Sequence, residues 1–182
     1  MMVEISLTYS TLVFSDGVRL RLHPAAGRVP NKHQLLCYFD DETALSASIA
    51  MYGGLFCWEI GTDFDDDYYR VAKEKPSPLV DAFDESYFEK LLTAENVLNL
   101  SLKAALATEQ RIPGLGNGCL QDILWRAGLH PRRKIKTITV TEFGTLFSNL
   151  KATLAEMAAK GGRSTEKDLY GKAGAYQVVM CY

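Results

Sequence analysis

The sequence predicts an α+β chain, in which part of an antiparallel β-sandwich is followed by an all-helical domain. Three observations carry this. Apolar residues recur with period two through the first sixty positions, they recur at helical spacing from about Asp84 onward, and an acidic, proline-containing stretch separates the two patterns. The expected division is residues 1–62 for the partial sandwich, 63–80 for a linker, 81–176 for the helical domain and 177–182 for a tail.

In the first region Val18, Leu20 and Leu22 fall on one face and Arg19 and Arg21 on the other, and Leu45, Ala47, Ile49 and Met51 repeat the alternation. Gln34–Phe39 is a short apolar run joined to Ala44–Tyr52 through Asp40-Asp41-Glu42-Thr43, the signature of a hairpin. Gly53-Gly54 precedes a further run, Leu55–Ile60. Thr62–Tyr69 and Lys75-Pro76-Ser77-Pro78 then break the periodicity. Four helices are expected beyond: Asp84–Leu92; about Leu100–Thr108, with Lys103 off its apolar face; Gly118–Ala127, with Asn117 as N-cap and Gly128 as stop; and a long helix after Thr139, whose Thr139-x-x-Glu142 spacing fits a capping box and which Gly161-Gly162 ends.

With 182 residues, 47% of them hydrophobic and 23% charged, the composition is that of a globular domain, and it excludes disorder and collagen-like repeats. No apolar run reaches the ~20 residues that span a bilayer, and Met1-Met2-Val3-Glu4-Ile5 lacks the basic start of a signal peptide, so a cytoplasmic location is expected. The cysteines Cys37, Cys57, Cys119 and Cys181 form no C-x-x-C pair, so neither a zinc site nor a disulfide framework is indicated. The formal net charge of −2 conceals an asymmetry, since residues 1–100 hold 8 basic and 16 acidic side chains and residues 101–182 hold 12 and 6. The second part alone has the sign that a polyanionic partner requires.

The most informative segment is Gln110-Arg111-Ile112-Pro113-Gly114-Leu115-Gly116-Asn117-Gly118, a tight double turn between two helices. Gly114 and Gly116 permit positive φ and close backbone approach. Where the next helix begins, the free N–H groups beside Asn117 suit a phosphate oxygen, and Lys103 adds a full charge. The same residues also fit a plain cap between two helices. Arg132-Arg133-Lys134 and Lys136 read as a solvated basic run, His130 as a polar group closing a helix end, and His23 and His33 carry no pattern that implies chemistry.

Around this turn stand Leu102-Lys103-Ala104-Ala105-Leu106, Gln110, Asp122-Ile123-Leu124 and Ala127-Gly128-Leu129-His130-Pro131 in one continuous order. Together they resemble the helix-two-turn-helix domain of formamidopyrimidine-DNA glycosylase and endonuclease VIII. The likeness reaches upstream through Ser77-Pro78-Leu79 and Phe83-Asp84 into Gly54–Glu59, which resembles the end of that family's sandwich. Downstream, Gly161-Gly162-Arg163-Ser164-Thr165 resembles the loop that approaches the extruded base. The run from Lys160 to Asp168 is closer to the endonuclease VIII-like branch.

The resemblance implies a base-excision-repair protein whose partner is duplex DNA carrying a damaged base or an abasic site, drawn out of the stack for reaction. It implies no membrane partner. Lys103, Gly116, Asn117, Gly118 and Arg163 would contact DNA, with Lys103 and Asn117 on phosphates, and Ser164 and Thr165 would lie in the lesion loop. The family's nucleophile is an N-terminal proline followed by glutamate, and its zinc finger uses two C-x-x-C pairs; neither is found here, so no catalytic residue, metal or cofactor is assigned. Glu4, in the strand-like Ile5-Ser6-Leu7-Thr8 context, does not match the family's glutamate, and nothing positions the Met1 amine against a sugar. Whether the chain is itself an enzyme stays open. One expectation is a glycosylase and AP lyase in the complete protein; the alternative is a noncatalytic DNA-binding or repair-accessory module, and a third is binding of structured RNA. A protein partner or a second copy is expected to cover the incomplete sandwich.

Overall fold

The computed structural model describes residues 2–50 and 52–180, so the expected face of Met51, the Met1 amine and the last two residues of the tail, including Cys181, lie outside the described residues. The chain divides into two compact units, Met1–Asp65 with Gly161–Ala175, and Asp66–Lys160 with Tyr176–Tyr182.

The first unit holds two antiparallel sheets of three strands. One is ordered β1(Val3–Ser6), β2(Ser10–Phe14), β6(Leu55–Glu59), and the other β3(Val18–His23), β5(Ala44–Ile49), β4(Leu35–Tyr38). The alternation read from sequence sets the register: Leu20 faces Ala47 and Leu22 faces Leu45, and β4 and β5 form the expected hairpin through residues 39–43. Glu4 lies in β1 opposite Val13, in the strand context expected of it. Gly17, at φ +89, lets the β2–β3 turn pass under the 50–53 segment, where a Cβ would stand 2.8 Å from the Ala50 carbonyl oxygen.

Residues 161–175 are a structural departure from the sequence reading, which placed them in the helical domain. They pack with the sheets: the Leu22 amide donates to the Leu169 carbonyl at 2.9 Å and the Arg21 guanidinium to the Asp168 carbonyl at 2.9 Å, on the edge of β3 that β5 leaves free. An unpaired strand edge takes up whatever backbone can reach it, and here the chain returns to it from more than a hundred residues away.

The second unit is helical: α1(Asp67–Glu74), α2(Glu85–Thr93), α3(Leu102–Ala107), α4(Asn117–Arg126) and α5(Val140–Ala159), with a 3₁₀ turn at Ile135–Thr137. α1 lies inside the expected linker. Its apolar residues Tyr69, Val71 and Ala72 are half-buried and none is fully buried; the Asp66 carboxylate caps it by accepting from the Tyr69 amide at 2.8 Å, with Asp67 in its first turn and Lys73 in its last to suit the helix dipole. The other four helices stand where the spacing placed them, and α5 carries the expected capping box on Thr139 and Glu142. Gly161 and Gly162, at φ +67 and +104, end it.

Phe83, Phe88, Leu102, Leu106, Ile112, Leu120, Ile123, Leu146 and Leu150 form one core. Phe88 packs against Phe143 and Phe147 at centroid separations of 5.2 and 5.6 Å, joining α2 to α5. One face of α5 therefore lies on the core, with Leu146, Leu150, Thr153 and Met157 buried.

Candidate nucleic-acid interface

The connection between α3 and α4 is held from inside. Glu109 and Gln110 both adopt left-handed backbone, at φ 55 and 48, which costs a side-chain-bearing residue roughly 1–2 kcal/mol. Arg111 offsets this strain. Its buried guanidinium donates to the Ala104 carbonyl at 3.1 Å and the Thr108 hydroxyl at 3.0 Å and pairs with Glu109 at 2.5 Å, so it closes the end of α3 and fixes the first turn. Ile112 and Leu115 drop into the core on either side of Gly114, whose φ of +79 makes the second turn. Arg111 was not singled out from sequence; a lone arginine between a glutamate and an isoleucine reads as surface charge until its burial is seen.

Here two details of the sequence reading are corrected. The N-cap of α4 is Gly116, not Asn117, and Gly116 does not use positive φ: it sits at φ −92, ψ 168, with its carbonyl accepting the Leu120 amide at 3.0 Å. Glycine competes well at N-caps, and the extended geometry is already satisfied at residue 116, so Asn117 is taken into the first turn. No side chain caps the helix. A Cβ built on Gly116 would meet nothing within 4 Å, so neither φ nor packing demands glycine there.

Asn117 is thereby left exposed, and Lys103 is exposed on the second position of α3. Among the described residues neither side chain has a hydrogen-bond or ion-pair partner. Both border one cavity of about 640 Å³, whose apolar wall includes Leu120, Leu124, Trp125, Leu129, Pro131 and Met180. α3 is fixed beside it by the following loop: the Leu102 amide donates to the Arg133 carbonyl at 2.8 Å and the Lys103 amide to the Pro131 carbonyl at 3.0 Å. α4 ends in a Schellman motif, with the Gly128 amide donating to Trp125 and the Leu129 amide to Leu124 at 3.0 and 2.9 Å, which turns the chain into that loop. His130 accepts the Arg132 amide at 3.3 Å, in keeping with its reading as a helix-end group.

The buried side of α4 is anchored by Asp122, whose carboxylate accepts the Val179 and Met180 amides at 3.1 and 2.9 Å. Tyr176 is buried beside it, with the Arg126 guanidinium and Lys160 ammonium over its ring. Burial first, and then the Asp122 carboxylate, push the phenol up to about 12.

The remaining candidates are placed differently. Gly118 sits in the first turn of α4. Arg163, Ser164 and Thr165 belong to the other compact unit. Arg163 is mostly buried and pairs with Glu166 at 2.9 Å, while Thr165 is exposed. The basic run is not uniformly solvated: Arg133 is half-buried and grips Glu142, whereas Arg132, Lys134 and Lys136 are exposed. Cys37, Cys57 and Cys119 stand in separate elements and form no disulfide with one another, and among the described residues no three His, Cys, Asp or Glu side chains are grouped to hold a metal ion, so these residues do not fit the zinc site of the resemblance. Among them, too, no helix is long and apolar enough to cross a membrane.

The family profile described as formamidopyrimidine-DNA glycosylase H2TH domain matches residues 75–168. The chain belongs to this family. It is 32% identical over 151 residues to formamidopyrimidine-DNA glycosylase of Laribacter hongkongensis, covering 81% of this chain and 54% of that protein. It is 33% identical over 173 residues to the protein of the same name from Wolbachia pipientis, covering 91% and 57%. The chain thus spans little more than half the length of these curated relatives. In fold it is similar to a Lactococcus lactis FPG mutant in complex with Fapy-dG-containing DNA, at TM-score 0.72 and 21% identity, covering 92% of this chain and 61% of that one. It is likewise similar to Lactococcus lactis Fpg in complex with abasic-site DNA, at TM-score 0.71 and 20% identity, covering 92% and 60%. These matches establish family and fold without separating the endonuclease VIII-like branch from the rest.

Proposed function

We propose that this chain is the DNA-gripping part of a base-excision-repair glycosylase, holding duplex DNA at a damaged or abasic site by its phosphates. The observation that carries this is that Lys103 and Asn117, two exposed side chains without a partner among the described residues, border one cavity at a helix N-terminus that no side chain caps and whose N-cap glycine the fold itself does not require. A phosphate oxygen there meets a full charge, an amide donor and the partial positive charge of first-turn N–H groups. Gly116 leaves room for the DNA backbone to approach the helix end. Gly118 extends that small-residue surface by one position, and Arg163, Ser164 and Thr165 belong to a loop that covers the extruded base.

The relatives' name, formamidopyrimidine-DNA glycosylase, supports a glycosylase activity for the whole protein. Excision of oxidised bases, cleavage at the abasic site and a cytoplasmic location at the nucleoid complete the proposal on the strength of the family resemblance. The endonuclease VIII-like assignment, favoured by the Lys160–Asp168 pattern, makes oxidised pyrimidines the preferred bases. The residues given contain no Pro-Glu dipeptide, and no catalytic residue is assigned to them. The test is a native gel of the purified chain with a duplex carrying one abasic site, run beside borohydride trapping on the same duplex. A shift without a covalent crosslink is the expected result. A crosslink would reveal a working amine nucleophile in these residues, and a folded chain that shifts no duplex would overturn the proposal.

A further inference from the structure

Lys103 and Asn117 can share a DNA backbone when their separation is fixed, and residues 104–116, which join them, pass through the double turn. Two parts of that connection are anchored. The start of α3 is clipped to the Pro131 and Arg133 carbonyls, and Ile112 and Leu115 are sunk in the core. Between these anchors stand Glu109 and Gln110, consecutive residues in a left-handed backbone that L side chains disfavour. Strained residues in the middle of a spacer relax unless something holds them, and relaxation here redirects the chain that leads into α4.

Arg111 holds them. It is 7% exposed, and its guanidinium lies against the last turn of α3, where Nη1 donates to the Ala104 carbonyl at 3.1 Å and the Thr108 hydroxyl at 3.0 Å and Nη2 donates to the Glu109 carboxylate. One side chain thus joins the residue after Lys103 to the first of the two left-handed residues. The Lys75 ammonium donates to the carbonyl of the second, Gln110, at 3.4 Å. The Thr108 hydroxyl also donates to the Ala104 carbonyl, at 2.6 Å, so that oxygen keeps a partner without the arginine. The end of α3 is therefore satisfied on its own, and what depends on the guanidinium is the conformation of residues 109 and 110. Burial withholds Arg111 from a phosphate, so its part is to position and not to touch.

We infer that Arg111 is a positioning residue for DNA binding: by holding Glu109 and Gln110 in left-handed backbone, it sets the separation of Lys103 and Asn117 that a DNA strand spans. This rests on the reading of those two residues as the DNA grip. Without the tie the chain occupies the gripping conformation for a fraction of the time, and the apparent affinity falls by that fraction while the bound state is unchanged.

The experiment is fluorescence anisotropy of the full chain with a duplex carrying one abasic site, across a salt series. Arg111→Met is expected to weaken binding roughly 5- to 30-fold, the penalty of one left-handed residue released from its tie, with the slope of log affinity against log salt equal to the parent's. A residue that itself held a phosphate would lower that slope by about 0.9. Adding Gln110→Gly, which relieves positive φ at one of the two positions without changing charge, is expected to recover most of the lost affinity. Arg111→Lys keeps the charge and loses the planar fork, so its affinity should fall between those of Arg111→Met and the parent. It carries the same comparison if Arg111→Met does not keep the parent's circular dichroism. No loss of affinity, a loss accompanied by a lower salt slope, or a loss that Gln110→Gly leaves in place overturns the inference, while the parent's binding preserves the broader function. A folded parent chain that binds no duplex removes both.

Discussion

Glu142 and Arg133 join two arcs of chain around the start of α5: both guanidinium Nη atoms of Arg133 donate to the two carboxylate oxygens of Glu142, which also accepts the Thr139 amide and hydroxyl at 2.9 Å. The helix cap and the loop that clips α3 therefore share one carboxylate. Arg133 beside it, then the Thr139 amide and hydroxyl, lower its pKa from 4.5 to about 2. A carboxyl whose folded pKa is depressed stabilises the fold above its unfolded pKa and loses that contribution as the pH falls through the folded value. The melting temperature is expected to decline from about pH 4.5 toward pH 2, and Glu142→Gln to flatten that decline, as thermal melts across the acid range will show. Thr139→Ala, which removes the cap itself, should cost about 1 kcal/mol in denaturant unfolding.

At the other end of the pH scale Tyr176 has its phenol raised from 10 to about 12 by burial and by Asp122. A raised phenol pKa favours the neutral, folded-state form, so its contribution is complete below pH 10 and is lost on passing through 12. Urea unfolding at stepped alkaline pH should show that loss in the parent and not in Tyr176→Phe.

Gly116→Ser separates fold from function. Serine is a better N-cap than glycine by a few tenths of a kcal/mol, and the Cβ meets no neighbour, so the melting temperature should hold or rise slightly. The added side chain occupies the approach to the helix end, and DNA affinity should fall. Unchanged affinity for an abasic duplex would show that nothing comes close to Gly116.

Asn117→Ala and Lys103→Ala should each weaken damaged and intact duplex alike, by roughly tenfold for a charge-assisted phosphate contact. Lys103→Ala should also reduce the slope of log affinity against log salt by about 0.9. A loss confined to one base lesion would place these residues on a base and not on phosphates.

Gly174→Ala puts a methyl group 2.1 Å from the Gly162 carbonyl oxygen, so the close approach, or neck, of residues 162 and 174 must open, at a cost of about 1–3 kcal/mol by the scale of overpacking. Hydrogen exchange should report it as faster loss of protection at the Gly174 and Leu22 amides. Protection equal to the parent's would mean that the neck is not closed in solution.

Much of the fold was legible because its signals are local. Period-two alternation placed β3 and β5, short apolar runs beside turn residues placed β4 and β6, and Thr139 with Glu142 announced the start of α5. α1 was not legible, because its apolar residues Tyr69, Val71 and Ala72 sit in an acidic stretch followed by prolines that reads as a break in periodicity, and none of them is fully buried. The site was half legible. Lys103 and Asn117 were named from a motif, but the motif gave Asn117 the wrong local task, since capping by Gly116 is what frees its side chain. Arg133 read as solvated charge and Arg111 was not singled out, yet they are the half-buried tie of the following loop and the buried tie of the double turn.

By itself, then, the sequence determined the types of the elements other than α1, the double turn with its free cation and amide, and family membership, all of which depend on neighbours within a few residues. Only the tertiary structure decided that residues 161–175 belong to the sheets and that Lys103 and Asn117 border one cavity. These depend on contacts such as Arg21 to Asp168, 147 residues apart, which form when an open strand edge and a turn carbonyl satisfy each other, and no local pattern records that pairing.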